Sequence, residues 1–148
     1  MRILTSIAIL LTSGHLALAA YDETDPRPDL NVLRAQIDAG GASHAITPLY
    51  DWIVTDPLDA DALNLLGYAY RKIKNWEKSR QYYTEALTVE PAHLGALEYM
   101  GELELQTGNP DAARALLIRL QAACPSGCSE LDDLVAAFAE YEIPTGGS

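Results

Sequence analysis

A step of 34 residues recurs along this chain. Three prolines keep that interval, Pro57, Pro91 and Pro125, and so do the glycines Gly67 and Gly101. Small residues (Ala45, Ser79 and Ala113) and bulky apolar residues (Leu49, Tyr83 and Leu117) follow the same step. Agreement at this many positions is improbable by chance. The sequence therefore predicts one supersecondary unit that occurs about three times.

The middle copy, residues 60–93, has the pattern of two amphipathic helices. Apolar positions of the first helix recur at intervals of three and four, and they are Leu63, Leu66, Gly67, Tyr70 and Ile73. A turn at residues 74–76 leads to a second helix that we expect to reach Leu87 or Val89. Pro91 ends this helix, because the residue before a proline avoids the helical region.

Two further copies flank the middle one. A second copy spans residues 94–127, and a degenerate copy spans residues 29–59, or 26–59 if the full step is kept. Their turns contain Gly40-Gly41 and Gly108-Asn109-Pro110, residues suited to ending one helix and starting the next. A single helix pair cannot bury its apolar face alone, so we expect the pairs to stack.

These features resemble those of the tetratricopeptide repeat family. The matching residues of the middle copy are Leu66, Gly67, Tyr70, Ser79, Tyr83, Ala86 and Pro91. The resemblance implies an all-α fold, a right-handed α-solenoid of about three helix-turn-helix repeats with a C-terminal capping helix. The degenerate copy has Leu33 where the family has a small residue and Trp52 where it has an alanine. We therefore expect that copy to pack irregularly.

The segment 129–142 is the expected capping helix, because the last repeat of a solenoid needs a covering element. Ser129 is placed to cap its first turn, with Asp132 as the acid of a capping box. An apolar stripe of Leu131, Leu134, Val135 and Phe138 could lie on the last repeat. The alternative is that this stripe binds a partner.

The first twenty residues have the order of a secretory signal peptide. Arg2 is followed by an apolar run from Ile3 to Leu11 and by small residues up to Ala20. Polar residues at 12–15 interrupt the run, which makes it a poor membrane anchor. We expect cleavage after Ala19 or Ala20 and export to the periplasm or the exterior. Polar segments at 21–28 and 143–148 are expected to be flexible.

The two cysteines of the chain, Cys124 and Cys128, lie in the stretch CPSGC at the joint between the last repeat and the capping helix. Disulfides persist outside the cytosol, so export favours a structural disulfide. A metal site remains open, because soft thiolates favour Cu(I) and the spacing resembles that of some exported copper chaperones. A catalytic redox pair and a pair of reduced thiols remain open as well. No other metal site and no cofactor is expected.

Charge and motifs narrow the class of function. The formal net charge of −11 argues against nucleic acid and anionic membranes as partners. The sequence has no phosphate-binding loop, nucleophile elbow or HExxH motif. His44 and His93 fall in different repeats without a ligand-spaced partner, which favours surface or helix-end roles. We expect a protein that is not an enzyme.

The resemblance also implies a binding face. In the family, the first helices of successive repeats line a concave groove that holds segments of other proteins. Carried over by position, the groove residues here are Arg34, Asn64, Tyr68, Arg71, Glu98 and Glu102. In this hypothesis Arg34 and Arg71 hold carboxylates of a peptide, and Glu98 and Glu102 receive basic groups. The lysine and asparagine with which chaperone-binding members grip a C-terminal carboxylate are absent, since Asn64 and Tyr68 stand in their places.

Three functions follow from these features. The first is an exported adaptor that binds another protein or peptide segment through the groove. The second is a copper-handling accessory protein that uses Cys124 and Cys128. The third is a structural subunit whose capping helix packs into an envelope assembly.

Overall fold

The computed structural model of this protein describes residues 27–142. The predicted signal peptide, residues 1–20, and the tail at 143–148 lie outside the described residues, as does most of the segment 21–28. Between residues 27 and 142 there are seven α-helices and no strand: α1 (Leu30–Gln36), α2 (Ala42–Thr55), α3 (Ala60–Lys72), α4 (Trp76–Val89), α5 (Leu94–Gln106), α6 (Pro110–Ala123) and α7 (Ser129–Glu142). None of these helices is both long and apolar enough to cross a bilayer.

The helices form successive antiparallel pairs. Within the pairs α3 packs most extensively on α4, and α5 on α6, while α2 with α3 and α4 with α5 join one pair to the next. The first helices of the pairs also meet, α1 with α3 and α3 with α5. This stack of helix pairs confirms the predicted all-α solenoid of helix-turn-helix units.

Side chains at the helix starts explain why the helices begin where they do. Asp59 accepts a hydrogen bond from the Ala62 N–H at 3.0 Å, and His93 Nδ1 accepts one from the Ala96 N–H at 3.1 Å. Both satisfy a backbone donor that the first turn leaves without a helical partner. The two caps lie one repeat apart, so the repeat length of the sequence reappears as the spacing of α3 and α5. His93 thus has the helix-end role that its position predicted.

The degenerate first copy is irregular, as its departures from the family's pattern indicated. Helix α1 has only seven residues, and a π-helical turn, Ile37–Gly41, connects it to α2. Gly40 in this turn has φ 91°, a left-handed conformation that residues with a side chain rarely adopt. The predicted Gly40-Gly41 turn is therefore a kink between two helices that are joined by a π-helical turn.

The core runs through the whole stack and contains one close approach between α3 and α4. A Cβ atom on Gly67 would lie 2.6 Å from Cδ1 of Tyr83, whose side chain is fully buried. Only glycine leaves room for the tyrosine ring at this point. The intervals of three and four along α3 place Leu63 and Leu66 in the same core.

The capping helix α7 packs on α5 and α6. Leu134 is fully buried, and Leu131 and Phe138 pack against the core at partial exposure. The predicted apolar stripe was wrong at Val135, because this side chain is 49% exposed and does not share the buried side of the helix.

The start of α7 also corrects a prediction. The Cys128 carbonyl accepts the first backbone bonds of the helix, from the N–H groups of Leu131 and Asp132. The Ser129 hydroxyl donates to the Glu130 carboxylate at 3.2 Å and does not cap the first turn. The helix begins one residue earlier than a Ser129 cap would require.

Cys124 and Cys128 lie at disulfide distance, with their Cα atoms 6.1 Å apart. The pair closes the turn between α6 and α7, and both residues are half-buried against the core. The disulfide therefore lies where the chain passes from the last repeat to the capping helix. In this state the sulfurs are bonded to each other and offer no thiolate to a metal ion.

Candidate functional site

The first helices of the pairs, α1, α3 and α5, share one face, here called the inner face. A set of polar and aromatic side chains crosses it and joins the three helices; this inner network consists of Arg34, Asp38, Tyr68, Arg71, Tyr99 and Glu102. Arg34 Nη1 donates to the Tyr99 hydroxyl at 2.5 Å, and the Tyr68 hydroxyl donates to Asp38 at 2.6 Å. Arg71 forms an ion pair with Glu102.

Aromatic stacking holds the centre of the inner network. The rings of Tyr68 and Tyr99 are stacked with their centroids 4.9 Å apart. The guanidinium of Arg34 lies 5.5 Å from the Tyr99 centroid, and that of Arg71 lies 5.2 Å from it. These distances are those of cation–π contacts, which add to the hydrogen bonds. The network therefore ties α1, α3 and α5 together from inside the stack.

The structure places all six predicted groove residues on the inner face, although most are less accessible than a binding residue was expected to be. Asn64, Tyr68, Arg71 and Glu98 are buried, while Arg34 and Glu102 are half-buried. Arg71 and Glu102 pair with each other within the chain. The charges of opposite sign that the sequence assigned to a ligand are thus partly matched internally.

Sequence reasoning missed Asp38 and Tyr99, which complete the inner network. Tyr99 lies one repeat after Leu65, so its position in the repeat indicated an ordinary core residue. Asp38 lies next to the irregular turn, where the repeat pattern is weakest. A comparison of the polar side chains on successive first helices could have found both residues.

Glu98 differs from the other charged residues of the inner face. It is 6% exposed, and no residue between 27 and 142 donates a hydrogen bond to its carboxylate or lies within ion-pair distance of it. Burial, together with the nearby carboxylates of Glu102, Asp133 and Glu130, raises the pKa of Glu98 to about 8, although Arg71 opposes the shift. Glu98 is therefore largely protonated at neutral pH.

A cavity of about 340 Å³ opens on the inner face at the N-terminal halves of the first helices. Its lining residues are Arg27, Leu30, Asn31, Arg34, Asp61, Asn64, Leu65, His93, Gly95 and Glu130. Asn64 is 2% exposed, and its Oδ1 atom has no hydrogen-bond donor among the described residues. A Cβ atom on Gly95 would lie 3.0 Å from Asn64 Nδ2, so the glycine keeps the wall beside the amide open.

The rim of the cavity is a chain of ion pairs and hydrogen bonds. Arg27 donates to both carboxylate oxygens of Asp59, at 2.6 and 2.8 Å, and to Asp61 at 3.1 Å. His93 Nε2 lies 3.1 Å from the other oxygen of Asp61. The start of α3 is thereby tied to the segment before α1 and to the start of α5.

Comparison with known proteins identifies the unit from which the fold is built. Residues 60–93 match the model of the family described as the tetratricopeptide repeat. Residues 60–93 therefore form a tetratricopeptide repeat. A sequence search of curated proteins gave no significant match.

Solved structures share the fold of this chain at low sequence identity. The type III secretion translocator chaperone SycD of Yersinia enterocolitica is 18% identical, with a TM-score of 0.63 over 77% of this chain and 95% of that chain. PcrH, in complex with the chaperone-binding region of PopD, is 21% identical, with a TM-score of 0.63 over 76% and 86%. The first repeat domain of human RPAP3 is 17% identical, with a TM-score of 0.61 over 78% and 96%.

The repeat register relates the two unusual polar residues of the inner face. Asn64 and Glu98 lie one tetratricopeptide repeat apart, at equivalent positions of α3 and α5. Each residue is more than nine-tenths buried. Asn64 Oδ1 is a buried acceptor without a described donor, and no described residue donates a hydrogen bond to the Glu98 carboxylate. The inner face therefore contains two successive acceptor positions, of which Asn64 lines the cavity.

A larger and shallower depression, of about 1120 Å³, lies along α4 on the other side of the stack. Its central charged side chain, Arg80, is bonded to both oxygens of Glu104 and to Thr107. The guanidinium of this depression is therefore matched within the chain. We consider the smaller inner cavity the better candidate site, because the buried and unmatched Asn64 Oδ1 lies in its wall.

Proposed function

We propose that this protein is an exported, non-catalytic adaptor that binds a segment of another protein on its inner face. The observation that carries the proposal is the inner cavity of about 340 Å³ beside the buried Asn64 amide, whose Oδ1 has no donor among the described residues. Buried acceptors in native proteins are nearly always satisfied, so an open one beside a cavity favours a ligand that donates. The complex of the similarly folded PcrH with a region of PopD gives a precedent for polypeptide binding by this architecture.

Export supports the same proposal from a separate direction. The signal-like segment at residues 1–20 and the paired Cys124 and Cys128 both suit an oxidising compartment. Outside the cytosol the adaptor would meet envelope or secreted proteins. A fractionation of cells into cytosolic and exported material, followed by mass spectrometry of the mature N-terminus, tests this part. We expect an N-terminus at Ala20 or Tyr21 in the exported fraction, and an intact Met1 in the cytosol would contradict it.

Site-specific photocrosslinking tests the binding face. A benzoylphenylalanine at position 31 replaces an exposed residue that lines the cavity, whereas one at position 121 replaces the exposed Gln121 on α6. In the native host we expect the Asn31 variant to form a discrete adduct with one partner and the Gln121 variant to form none. Equal adducts from both sites, or none from position 31, would contradict binding on the inner face.

A further inference from the structure

Half of the chain's cations lie in one stretch of ten residues. Residues 71–80 contain five of the ten lysines and arginines, including all three lysines, and a single acid, Glu77. The stretch forms the end of α3, the turn and the start of α4. Because the formal net charge of the whole chain is −11, this stretch is a positive patch on a strongly acidic protein. Such a charge distribution repels an acidic ligand from most of the surface and directs it to the patch.

A cleft of about 630 Å³ opens at this patch, over the C-terminal ends of α3 and α5. Its lining residues are Arg71, Lys72, Lys74, Trp76, Glu102 and Gln106. Arg71 is paired with Glu102, and its Nε is a buried donor without a described acceptor. Lys72 and Lys74 are exposed, and no acid among residues 27–142 lies within ion-pair distance of either. The cleft therefore has two positive charges that no described acid neutralises.

Lys74 occupies a position at which the turn favours glycine. Gly40, Lys74 and Gly108 lie one repeat apart, and all three have a left-handed backbone, with φ angles of 91°, 62° and 78°. Glycine adopts this conformation freely, whereas a residue with a side chain is strained in it. The middle copy thus has a lysine where both neighbouring copies have the residue that suits the turn. Since the turn itself does not need the side chain, the lysine points to a role for its ammonium group.

The cleft is continuous with the inner face. The Lys72 ammonium lies 5.5 Å from the ring centroid of Tyr68, and Arg71 and Glu102 both line the cleft and belong to the inner network. Lys72 follows Asn64 by eight residues on α3. This separation is about 12 Å along the helix axis, which an extended segment of roughly four residues spans. A segment bound at the inner cavity can therefore reach the cleft.

We propose that this cleft binds an acidic stretch of the partner segment, with Lys72 and Lys74 donating to its carboxylates and Trp76 packing beside them. This inference rests on the proposed function, because it names the chemistry of the segment that the inner face binds. Hydrogen bonds between a cation and a carboxylate are stronger than those between neutral groups. Trp76 is half-buried against the core and gives the cleft an apolar wall.

Selection from a phage-displayed library of random dodecapeptides on the purified mature protein tests the inference. We expect the enriched peptides to share acidic residues, whose replacement by the corresponding amides weakens binding in calorimetry by about tenfold, the size of one charge-assisted hydrogen bond. A Lys72→Gln, Lys74→Gln variant should lose affinity by a similar factor. Lys78→Gln is the matched control, because Lys78 is an exposed lysine of the same stretch that does not line the cleft. This control should bind the peptides as wild type does.

Lys74→Gly separates a role in binding from a role in folding. Glycine suits the left-handed turn, so this variant should melt at or above the wild-type temperature while its affinity for the selected peptides falls. Thermal denaturation followed by circular dichroism, together with calorimetry, measures both effects. A Lys74→Gly variant that binds like wild type, or that melts well below it, would overturn a binding role for this lysine.

The outcomes separate this inference from the function on which it rests. Enriched peptides without shared acids, or with equal affinity for wild type and the double lysine variant, would overturn the basic cleft and leave binding by the inner face intact. An equal loss in Lys78→Gln would also overturn it, because attraction by net charge alone would then suffice. If no peptide is enriched over a blank surface, the proposed function fails, and this inference fails with it.

A membrane is the other source of clustered anions. Flotation of the protein with phosphatidylglycerol vesicles tests it, and we expect no binding because the chain as a whole is acidic. Vesicle binding that the double lysine variant loses would overturn a polypeptide ligand for this cleft. Circular dichroism establishes that the double variant is folded, and Lys72→Gln alone repeats the comparison if it is not.

Discussion

Leu134 of α7 lies directly over Gly101 of α5, so closely that a Cβ atom on the glycine would lie 2.7 Å from Leu134 Cδ1. The same kind of contact joins Tyr83 to Gly67 one repeat earlier. In both places a glycine on a first helix admits a large side chain of another helix. The capping helix therefore uses the same packing device as the repeats and functions as a part of the stack.

Gly101→Ala should destabilise the protein by about 1–3 kcal/mol, because the added methyl group overlaps Leu134 in a close-packed site. In a Leu134→Ala background the same substitution should cost less than about 0.5 kcal/mol, since the overlapping atoms are gone. Urea denaturation of the four proteins in this cycle gives both values. Equal costs of Gly101→Ala in the two backgrounds would show that Leu134 is not the residue that fills this space.

Loss of the disulfide between Cys124 and Cys128 should destabilise the capping helix more than the rest of the chain. Cys124→Ser, Cys128→Ser opens a loop of five residues, which costs about 2 kcal/mol in the loop-closure model. Hydrogen exchange should accelerate in α7 and in the last turn of α6, with little change in α3 and α4. The check is peptide-resolved exchange with and without reductant. Uniform acceleration along the chain would contradict a local role.

Glu98→Gln should change how stability depends on pH. The folded-state pKa of Glu98 is raised from 4.5 to about 8. The contribution of neutral Glu98 to the free energy of unfolding is therefore fully present below about pH 4.5 and is lost as the pH rises through 8. The variant lacks this loss, and at pH 9 it should be more stable than wild type by about 1–3 kcal/mol. Denaturation series at pH 5, 7 and 9 measure the difference. A difference independent of pH would show that Glu98 is not buried in the neutral form.

Asp59→Ala should destabilise the chain by about 2–3 kcal/mol, because Asp59 caps α3 and accepts from Arg27 and from Trp52 Nε1 at 2.8 Å. Burial alone raises the pKa of Asp59, but the hydrogen bonds from Arg27, the Ala62 N–H and Trp52 outweigh it and lower the pKa. Its contribution is therefore present above the unfolded value of 3.8 and is lost as the pH falls through the folded pKa.

Acid denaturation of Asp59→Ala beside Asp51→Asn measures this effect. Asp51 is exposed, so its variant should follow the wild-type curve. The stability difference between wild type and Asp59→Ala should shrink as the pH is lowered from 5 to 2. A difference that stays constant over this range would contradict a role for the ionised carboxylate.

The repeat step made the helix pairs, their turns and the capping helix predictable. Each copy packs against its neighbours in the same way, so the same residue type recurs at the same position, as Gly67 and Gly101 do. The disulfide was predictable because only two cysteines exist and they are four positions apart. These features depend on local sequence, so the order of residues was enough to predict them.

The pairing of side chains across the inner face could not be predicted in the same way. Whether Arg71 meets Glu102 or a ligand depends on the distance between α3 and α5, which no local pattern encodes. The side to which Val135 points depends on the rotation of α7 about its axis, which the contact of Leu134 with Gly101 fixes. Trp52, an apparent departure from the family's pattern, donates to Asp59, the residue that caps α3.

The most direct test of whether the inner face binds the partner is hydrogen exchange of the mature protein with and without a bound peptide. The peptide is selected on the mature protein from a phage-displayed library of random sequences and is added at a saturating concentration. We expect protection concentrated in residues 30–38, 61–72 and 94–106, the three first helices whose side chains form the inner face. Residues 76–89 and 110–123, the second helices, should exchange at the same rate in both states and are the internal control. Protection confined to the second helices, or to the outward side of α7, would contradict the claim that this solenoid binds its partner on the inner face.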